Sequence, residues 1–360
     1  MPISVMIKPA SSVCNLNCEY CFYSSLASER REYSKGMMSV NTAENIIKSA
    51  VEFAKGSEMI FTFQGGEPLL AGIDFYKAFA DLVRVHNIYS SKITYCLQTN
   101  GTLLNADWCA FFKENHFLLG VSLDGNEIQN AYRVYPDGSA SFQDVFNGIR
   151  LLQQFDVEFN VLSVVTKKLA NSVREHYKFM KQNHIFNLQY INCLKPFKSE
   201  YNSDLYMNND DYLFFLEKAF KLYYNDNMRE NRISVRTFDN YLLLLQGKHA
   251  EQCSMNGFCS VQFVVEGDGT VYPCDFYCTD EWEIGNINQQ SFLHMLNSEK
   301  HRKFLKENCF ADEKCRSCGY FNLCRGGGCK RNKANTDFCK AYKAFFSSSA
   351  HLMKNMLEFI

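Results

Sequence analysis

The stretch Cys14-Asn15-Leu16-Asn17-Cys18-Glu19-Tyr20-Cys21 decides the reading of this chain. It comes directly after an apolar run, Val5-Lys8, that reads as the first β-strand, so three cysteines spaced Cys-x3-Cys-x2-Cys sit on the loop leaving that strand. Three thiolates can hold three irons of a 4Fe-4S cube and leave the fourth open to a ligand, whereas a closed electron-transfer cluster uses four cysteines. Zinc is the alternative, but closed structural zinc wants four ligands, and no nearby histidine or fourth cysteine supplies one.

Outward from this loop, residues 4 to 192 alternate short apolar runs with amphipathic stretches, as parallel βα units do. Strands are expected at Val5-Lys8, Met59-Phe63, Ile93-Leu97, Leu118-Ser122, Phe159-Val165 and Leu188-Ile191. Helices are expected at Ala43-Ala54, Phe75-His86, Ala106-Glu114, Phe142-Gln154 and Val173-Gln182. Six units fall short of the eight that close a TIM barrel, so the fold class is α/β, a partial (β/α)6 TIM-like barrel. Polar and glycine residues follow several strands, notably Gln64-Gly65-Gly66-Glu67, Gln98-Thr99-Asn100-Gly101 and Ser122-Leu123-Asp124-Gly125, at the strand ends where such folds carry their chemistry. Tyr201-Asp211 reads as a loop, with helices near Asp211-Asn225 and Phe238-Gln246 beyond it. Gln262-Glu266 and Thr270-Tyr272 flank Gly267-Asp268-Gly269, a hairpin signal.

Composition agrees with a metal-dependent folded protein. Lys plus Arg number 38 and Asp plus Glu 39, so no global field favours nucleic acid or an anionic membrane. No run of 18 or more apolar residues and no signal-peptide core is present, so a cytoplasmic location is expected. Sixteen cysteines in a chain kept among reduced thiols argue for metal or redox chemistry rather than disulfides. Three lie in the first 21 residues and ten between Cys253 and Cys339; Cys96, Cys109 and Cys193 read as ordinary buried thiols.

With Tyr20 inside the triad and Gly65-Gly66-Glu67-Pro68 after the second strand, the chain resembles radical S-adenosylmethionine (SAM) enzymes. The resemblance implies that the open iron, held by Cys14, Cys18 and Cys21, chelates SAM, and that one electron then cleaves SAM to methionine and a 5′-deoxyadenosyl radical. It assigns SAM contacts to Tyr20, Gly65, Gly66, Glu67, Ser122, Arg133 and Leu194. Glycine suits close backbone approach, and an arginine fork suits a carboxylate.

The later cysteines, Cys253-x5-Cys259-x14-Cys274 and Cys315-x2-Cys318-x5-Cys324-x4-Cys329-x9-Cys339, resemble the SPASM extension of peptide-modifying radical SAM enzymes. That pattern implies one auxiliary 4Fe-4S cluster on Cys253, Cys259, Cys274 and Cys329, and a second on Cys315, Cys318, Cys324 and Cys339. The family usually has three residues between the cysteines matching Cys324 and Cys329, and here there are four, Arg325-Gly326-Gly327-Gly328. Cys278 and Cys309 fall outside the pattern; Cys278 is near enough in sequence to be a substitute ligand. Residues 1–235 are thus read as a radical SAM barrel and 236–360 as a SPASM domain ending in a C-terminal helix.

Over nearly its whole length the chain resembles anaerobic sulfatase-maturating enzymes, above all in Val271-Tyr272-Pro273-Cys274-Asp275-Phe276-Tyr277. The family oxidises a cysteine or serine of a nascent sulfatase to Cα-formylglycine. The resemblance implies hydrogen removal from Cβ by the deoxyadenosyl radical, proton uptake by Asp275, and acceptance of the second electron by an auxiliary cluster. Tyr23 and Gln64 match positions that contact the substrate peptide. The implied partners are an unfolded sulfatase polypeptide and an electron donor such as flavodoxin or ferredoxin, with the enzyme itself a monomer. Cysteine and serine targets are not distinguished. The rival readings are a thioether-forming SPASM enzyme, which commonly carries a leader-recognition domain for which the sequence before Cys14 leaves no room, a non-catalytic iron-sulfur protein, and a zinc-stabilised module. Replacing Cys14, Cys18 or Cys21 by alanine should abolish SAM cleavage, and reconstituted protein should hold about twelve irons; iron analysis near four, or 5′-deoxyadenosine from the triple variant, contradicts the scheme.

Overall fold

The computed structural model describes residues 1–196, 203–307, 313–329, 331 and 338–359. Ten strands occur among them: β1 Ile3–Ile7, β2 Met59–Phe63, β3 Ile93–Thr99, β4 Leu118–Ser122, β5 Phe159–Val165, β6 Asn187–Asn192, β7 Ser234–Val235, β8 Phe263–Val265, β9 Thr270–Tyr272 and β10 Gly285–Asn286. The six expected strands are present as β1 to β6, and helices follow β2 to β5 as the parallel pattern requires. Several helices begin earlier than the apolar pattern indicates because a polar residue caps them. Ser39 accepts from Thr42 N at the start of Val40–Ala54, and Asn208 with Asp211 forms a capping box at the start of Asn209–Asn227.

The chain divides into two compact units. The first comprises residues 1–122, 133–159 and 261–304; the second comprises 123–132, 160–260 and 305–360. Each takes residues from both sides of position 235, so compactness follows a different line from the 1–235 and 236–360 division expected from the sequence.

In the first unit β1, β2, β3 and β4 run parallel in that order, with Val5 opposite Phe61 and Phe61 opposite Tyr95. The expected hairpin is present as β8 and β9, antiparallel with Val265 opposite Val271, and β8 lies parallel to β1 on its other side. The core of this unit is aromatic: the Phe79 ring meets Phe61 and Phe63 edge-on at 5.2 and 5.0 Å, and Tyr76 meets Trp108 at 5.3 Å. Such pairs add to the burial of large apolar rings.

In the second unit β5, β6 and β7 run parallel. The helices Asn209–Asn227 and Cys339–Met356 pack together through Phe220 and Phe345, whose rings are 5.7 Å apart. Among the described residues no helix is long and apolar enough to cross a membrane.

Phe79 is 1% exposed and wedged between two strand phenylalanines. Phe79→Ala should therefore cost about 3–5 kcal/mol. A loss below about 1 kcal/mol in chemical denaturation would show that this core closes over the cavity.

Candidate active site

The residues of interest in the first unit gather at the carboxyl ends of its parallel strands. Lys8 follows β1, Gln64 to Glu67 follow β2, Thr99 ends β3 with Asn100 after it, and Ser122 ends β4.

The cysteine loop folds back on itself after β1, with Ser11 N donating to Lys8 O and Val13 N to Ala10 O. Cys14 Sγ accepts from Leu16 N at 3.4 Å and lies 3.8 Å from the Asn100 side-chain amide. Cys21 caps the helix Phe22–Ser28, its sulfur accepting from Ser24 N at 3.4 Å. Burial pushes the Cys14 thiol up to about 12, and Cys18 and Cys21 are close enough to push it further in the same direction. A loop of three thiols in which Cys14 and Cys21 already receive N–H donors fits an iron-sulfur cube, whose irons favour the thiolate forms. Among the described residues no three metal-binding side chains converge on a single point as ligands of one ion do; a cube spreads its thiolates over separate irons.

The glycine turn is joined to this loop through its backbone. Glu67 N donates to Val13 O at 2.8 Å, and a Cβ on Gly66 would lie 2.2 Å from that same oxygen. A Cβ on Gly65 would lie 2.8 Å from Cγ and Cδ of Lys8. Both glycines have positive φ, 93° and 52°. The protein's own packing thus requires glycine here, in addition to the ligand approach inferred from sequence. The Glu67 carboxylate is fully buried and accepts from Leu69 N, Thr99 Oγ1 and Asn100 N at 3.0, 2.8 and 2.7 Å. Burial pushes its pKa up to about 7, against these donors. The Glu67 side chain thus holds the β2 and β3 loops together.

Among the other expected SAM contacts, Arg133 and Tyr20 are buried together with the guanidinium 5.4 Å from the ring centroid. Ser122 accepts from Gln98 Nε2 at 3.0 Å. Leu194 lies in the second unit, after β6.

Asp275, Tyr23 and Gln64 form a chain. Gln64 Nε2 donates to Tyr23 Oη at 2.6 Å, and Tyr23 Oη donates to Asp275 Oδ2 at 2.7 Å. Burial and then the neighbouring Asp275 push the Tyr23 pKa well above its ordinary value, so the phenol keeps its proton and acts as donor. The other carboxylate oxygen, Oδ1, is 2.9 Å from Lys8 Nζ. Sequence reasoning gave no role to Lys8, nor to Arg30 and Glu266, which pair at 2.9 Å beside it. The available signal was a charged residue at the end of an apolar strand. Cys278 is fully buried; its sulfur is 3.4 Å from Lys8 Nζ and 3.6 Å from Cys274 O, and burial pushes its thiol up to about 12.

Of the auxiliary cysteines, Cys274 lies in the first unit and Cys253, Cys259, Cys315, Cys318, Cys324, Cys329 and Cys339 in the second. Cys324 accepts from Gly327 N at 3.2 Å, and burial pushes its thiol pKa up against that backbone hydrogen bond, with Cys339 and Cys315 acting in the same direction as burial. Arg325, Gly326, Gly327 and Gly328 all have positive φ. The longer spacing before Cys329 is thus taken up by a left-handed curl that three glycines make accessible. Cys309 lies outside the described residues.

Residues 9–180 match the Radical SAM superfamily and residues 253–319 an iron-sulfur cluster-binding domain of the SPASM type. A cysteine-type anaerobic sulfatase-maturating enzyme of Clostridium novyi is 42% identical over 357 residues, covering 96% of this chain and 95% of that one. The chain belongs to the anaerobic sulfatase-maturating enzymes. A serine-type member from Bacteroides thetaiotaomicron is 30% identical over 382 residues, covering 99% and 91%. The solved structure of native anSMEcpe with bound AdoMet and Cp18Cys peptide superposes with a TM-score of 0.92 at 40% identity, covering 99% of both chains. This sulfatase-maturating family member is accordingly a radical SAM enzyme of the α/β class with a parallel-strand sheet, followed by a SPASM region, as expected.

Glu67→Gln should test the clamp between the two loops. An amide nitrogen would face at least one backbone donor, so SAM affinity should fall and stability drop by about 1–3 kcal/mol. Free Glu67 releases its proton near 4.5 and the folded one near 7, so the folded state binds the extra proton between these values. Stability from this group should decline as pH rises through that window, and the slope should vanish in Glu67→Gln. An identical pH slope in both proteins, read by denaturation, contradicts the assignment.

Proposed function

We propose that this enzyme oxidises a cysteine of an unfolded sulfatase polypeptide to Cα-formylglycine. The observation that carries the reading is Asp275, a buried carboxylate held by Lys8 and Tyr23 and linked through Tyr23 to Gln64, next to the glycine turn. Cysteine is favoured over serine as the target by the 42% identity to a cysteine-type relative against 30% to a serine-type one. The same identities weigh against a thioether-forming activity, and a non-catalytic carrier would need neither the open triad nor the turn.

Cys14, Cys18 and Cys21 would hold the open cube, and the glycine turn, Tyr20, Ser122, Arg133 and Leu194 would hold SAM. Cys253, Cys259, Cys274 and Cys329, and Cys315, Cys318, Cys324 and Cys339, would hold two closed cubes, the charges of Cys315 and Cys339 acting on Cys324 in the second set. When bound, the open cube and SAM would supply a 5′-deoxyadenosyl radical able to take a hydrogen from the substrate's Cβ, and an auxiliary cube would take the second electron; water would then replace the sulfur of the resulting thioaldehyde, releasing sulfide. Gln64 and Tyr23 would orient the target side chain. Asp275 accepts the thiol proton; each of its oxygens retains a lone pair beyond the contacts to Lys8 and Tyr23. In this scheme Glu67 meets SAM as part of the turn, and its carboxylate holds that turn in place. The division into residues 1–235 and 236–360 is retained as a division of labour between SAM chemistry and auxiliary clusters. An external carrier of the flavodoxin or ferredoxin type would reduce the open cube, and the enzyme would act as a monomer in the cytoplasm.

The test is anaerobic incubation of the reconstituted enzyme with SAM, a reductant and two sulfatase-like peptides differing only in Cys or Ser. Mass spectrometry should show formylglycine from the Cys peptide in clear excess. No formylglycine from either peptide would reject the reading, and a preference for serine would reject its substrate half.

A further inference from the structure

We infer that Lys8 is a positioning residue of the reaction, whose stem carries the glycine turn while its ammonium fixes Asp275, so that one side chain ties the SAM site to the base. The inference rests on the reading of Asp275 given above.

Lys8 is 1% exposed, and its backbone N donates to Val265 O at 2.8 Å, anchoring it beside β8. From there the side chain meets two groups of different function. Its Cγ and Cδ occupy the space that a Cβ at residue 65 would need, coming within 2.8 Å of that position. The turn therefore rests on the lysine stem. Its Nζ lies 2.9 Å from Asp275 Oδ1, 3.4 Å from Cys278 Sγ and 3.7 Å from Glu266 Oε1. An ammonium has three donors and no acceptor, and this one has three acceptors around it. The ammonium also lies 4.8 Å from the centroid of the Tyr23 ring, whose hydroxyl holds the other oxygen of Asp275.

The charges explain why Lys8 serves Asp275 rather than Glu266. Glu266 has its own cation, Arg30 at 2.9 Å, while its contact with Lys8 is 3.7 Å. Among the described residues Asp275 has Lys8 as its ion-pair partner, at the shorter distance. Asp275 opens a short 3-10 turn, Asp275–Tyr277. Its two carboxylate oxygens are held separately, Oδ1 by Lys8 and Oδ2 by Tyr23. A lysine that merely held the hairpin against β1 would, on removal, loosen SAM site and base together. One that orients the base through its ammonium would, when only the ammonium is lost and the stem is kept, leave SAM chemistry running and proton transfer failing.

Lys8→Met separates the two, because methionine approximates the lysine stem and lacks the ammonium. In the reconstituted holoenzyme, iron content and SAM affinity by equilibrium binding should stay within about twofold of wild type, while the yield of formylglycine per 5′-deoxyadenosine falls at least about tenfold. If Lys8 acts through Asp275, the double variant Lys8→Met/Asp275→Asn should fall no further than Asp275→Asn alone. An unchanged product ratio in Lys8→Met, or a double variant in which the two losses multiply, overturns the inference. Should Lys8→Met lose its iron, Lys8→Leu, which likewise keeps an apolar stem and has no donor for Asp275, takes its place under the same criteria. Wild-type enzyme that makes no formylglycine rejects the functional reading itself, whereas wild-type product with an unchanged ratio in the variant rejects the role of Lys8 alone.

Discussion

An ammonium ion buried to 1% exposure must be surrounded by acceptors and answered by opposite charge, or its desolvation would cost several kcal/mol. That requirement at Lys8 organises one side of the site. β8 adds to β1 in parallel with Ile7 opposite Val265, so the residues that follow, Lys8 and Glu266, emerge beside each other. The hairpin then returns through β9, which ends at Tyr272, and three residues later Asp275 turns its carboxylate onto the same ammonium. Arg30, two residues after the helix Phe22–Ser28, supplies the second cation to Glu266. Two cations and two carboxylates from four separate segments balance inside the unit. The ion pairs need not add net stability to do this; removing one partner is what would be costly.

The strands were legible from the sequence because their chemistry is regular. β2, β4 and β5 begin and end where the apolar runs do, and the Gly267-Asp268-Gly269 turn joins β8 to β9. What could not be read was where the hairpin goes. Its apolar residues, Phe263, Val264 and Val265, are all fully buried, but a three-residue run with no alternation names no neighbour. The docking against β1, which brings Asp275 into the first unit, is a tertiary fact. So is the course of the two compact units, which cross the boundary at residue 235 that the family resemblance implies.

Within the site, residues that act by type at fixed spacing were readable, and those that act by being surrounded were not. Three cysteines in eight residues announce a cluster whatever the fold. Lys8 is an ordinary lysine in the sequence, and its function depends on residues far from it along the chain: Tyr23, Gly65, Glu266, Asp275 and Cys278. Glu67 shows the same limit in reverse. Its place in Gly-Gly-Glu-Pro marks it as functional, yet all three hydrogen bonds of its carboxylate go to protein donors on two loops.

The first unit therefore has two connections meeting at the glycine turn. On one side, Val13 O receives Glu67 N, and the Glu67 carboxylate fixes Asn100, whose amide faces Cys14; position is passed from the turn to the cysteine triad through hydrogen bonds. On the other, the Lys8 stem lies under Gly65 and its ammonium reaches Asp275; position is passed from the turn to the carboxylate through one side chain. A radical oxidation needs both parts but at different moments, since hydrogen removal from carbon and proton removal from sulfur are separate events. A rigid turn shared by the two keeps the geometry of one from drifting relative to the other. Adjacent glycines make such sharing possible, because each leaves room for a neighbour on one connection, Val13 at Gly66 and Lys8 at Gly65. A methyl group at either position would have to displace its own side of the site.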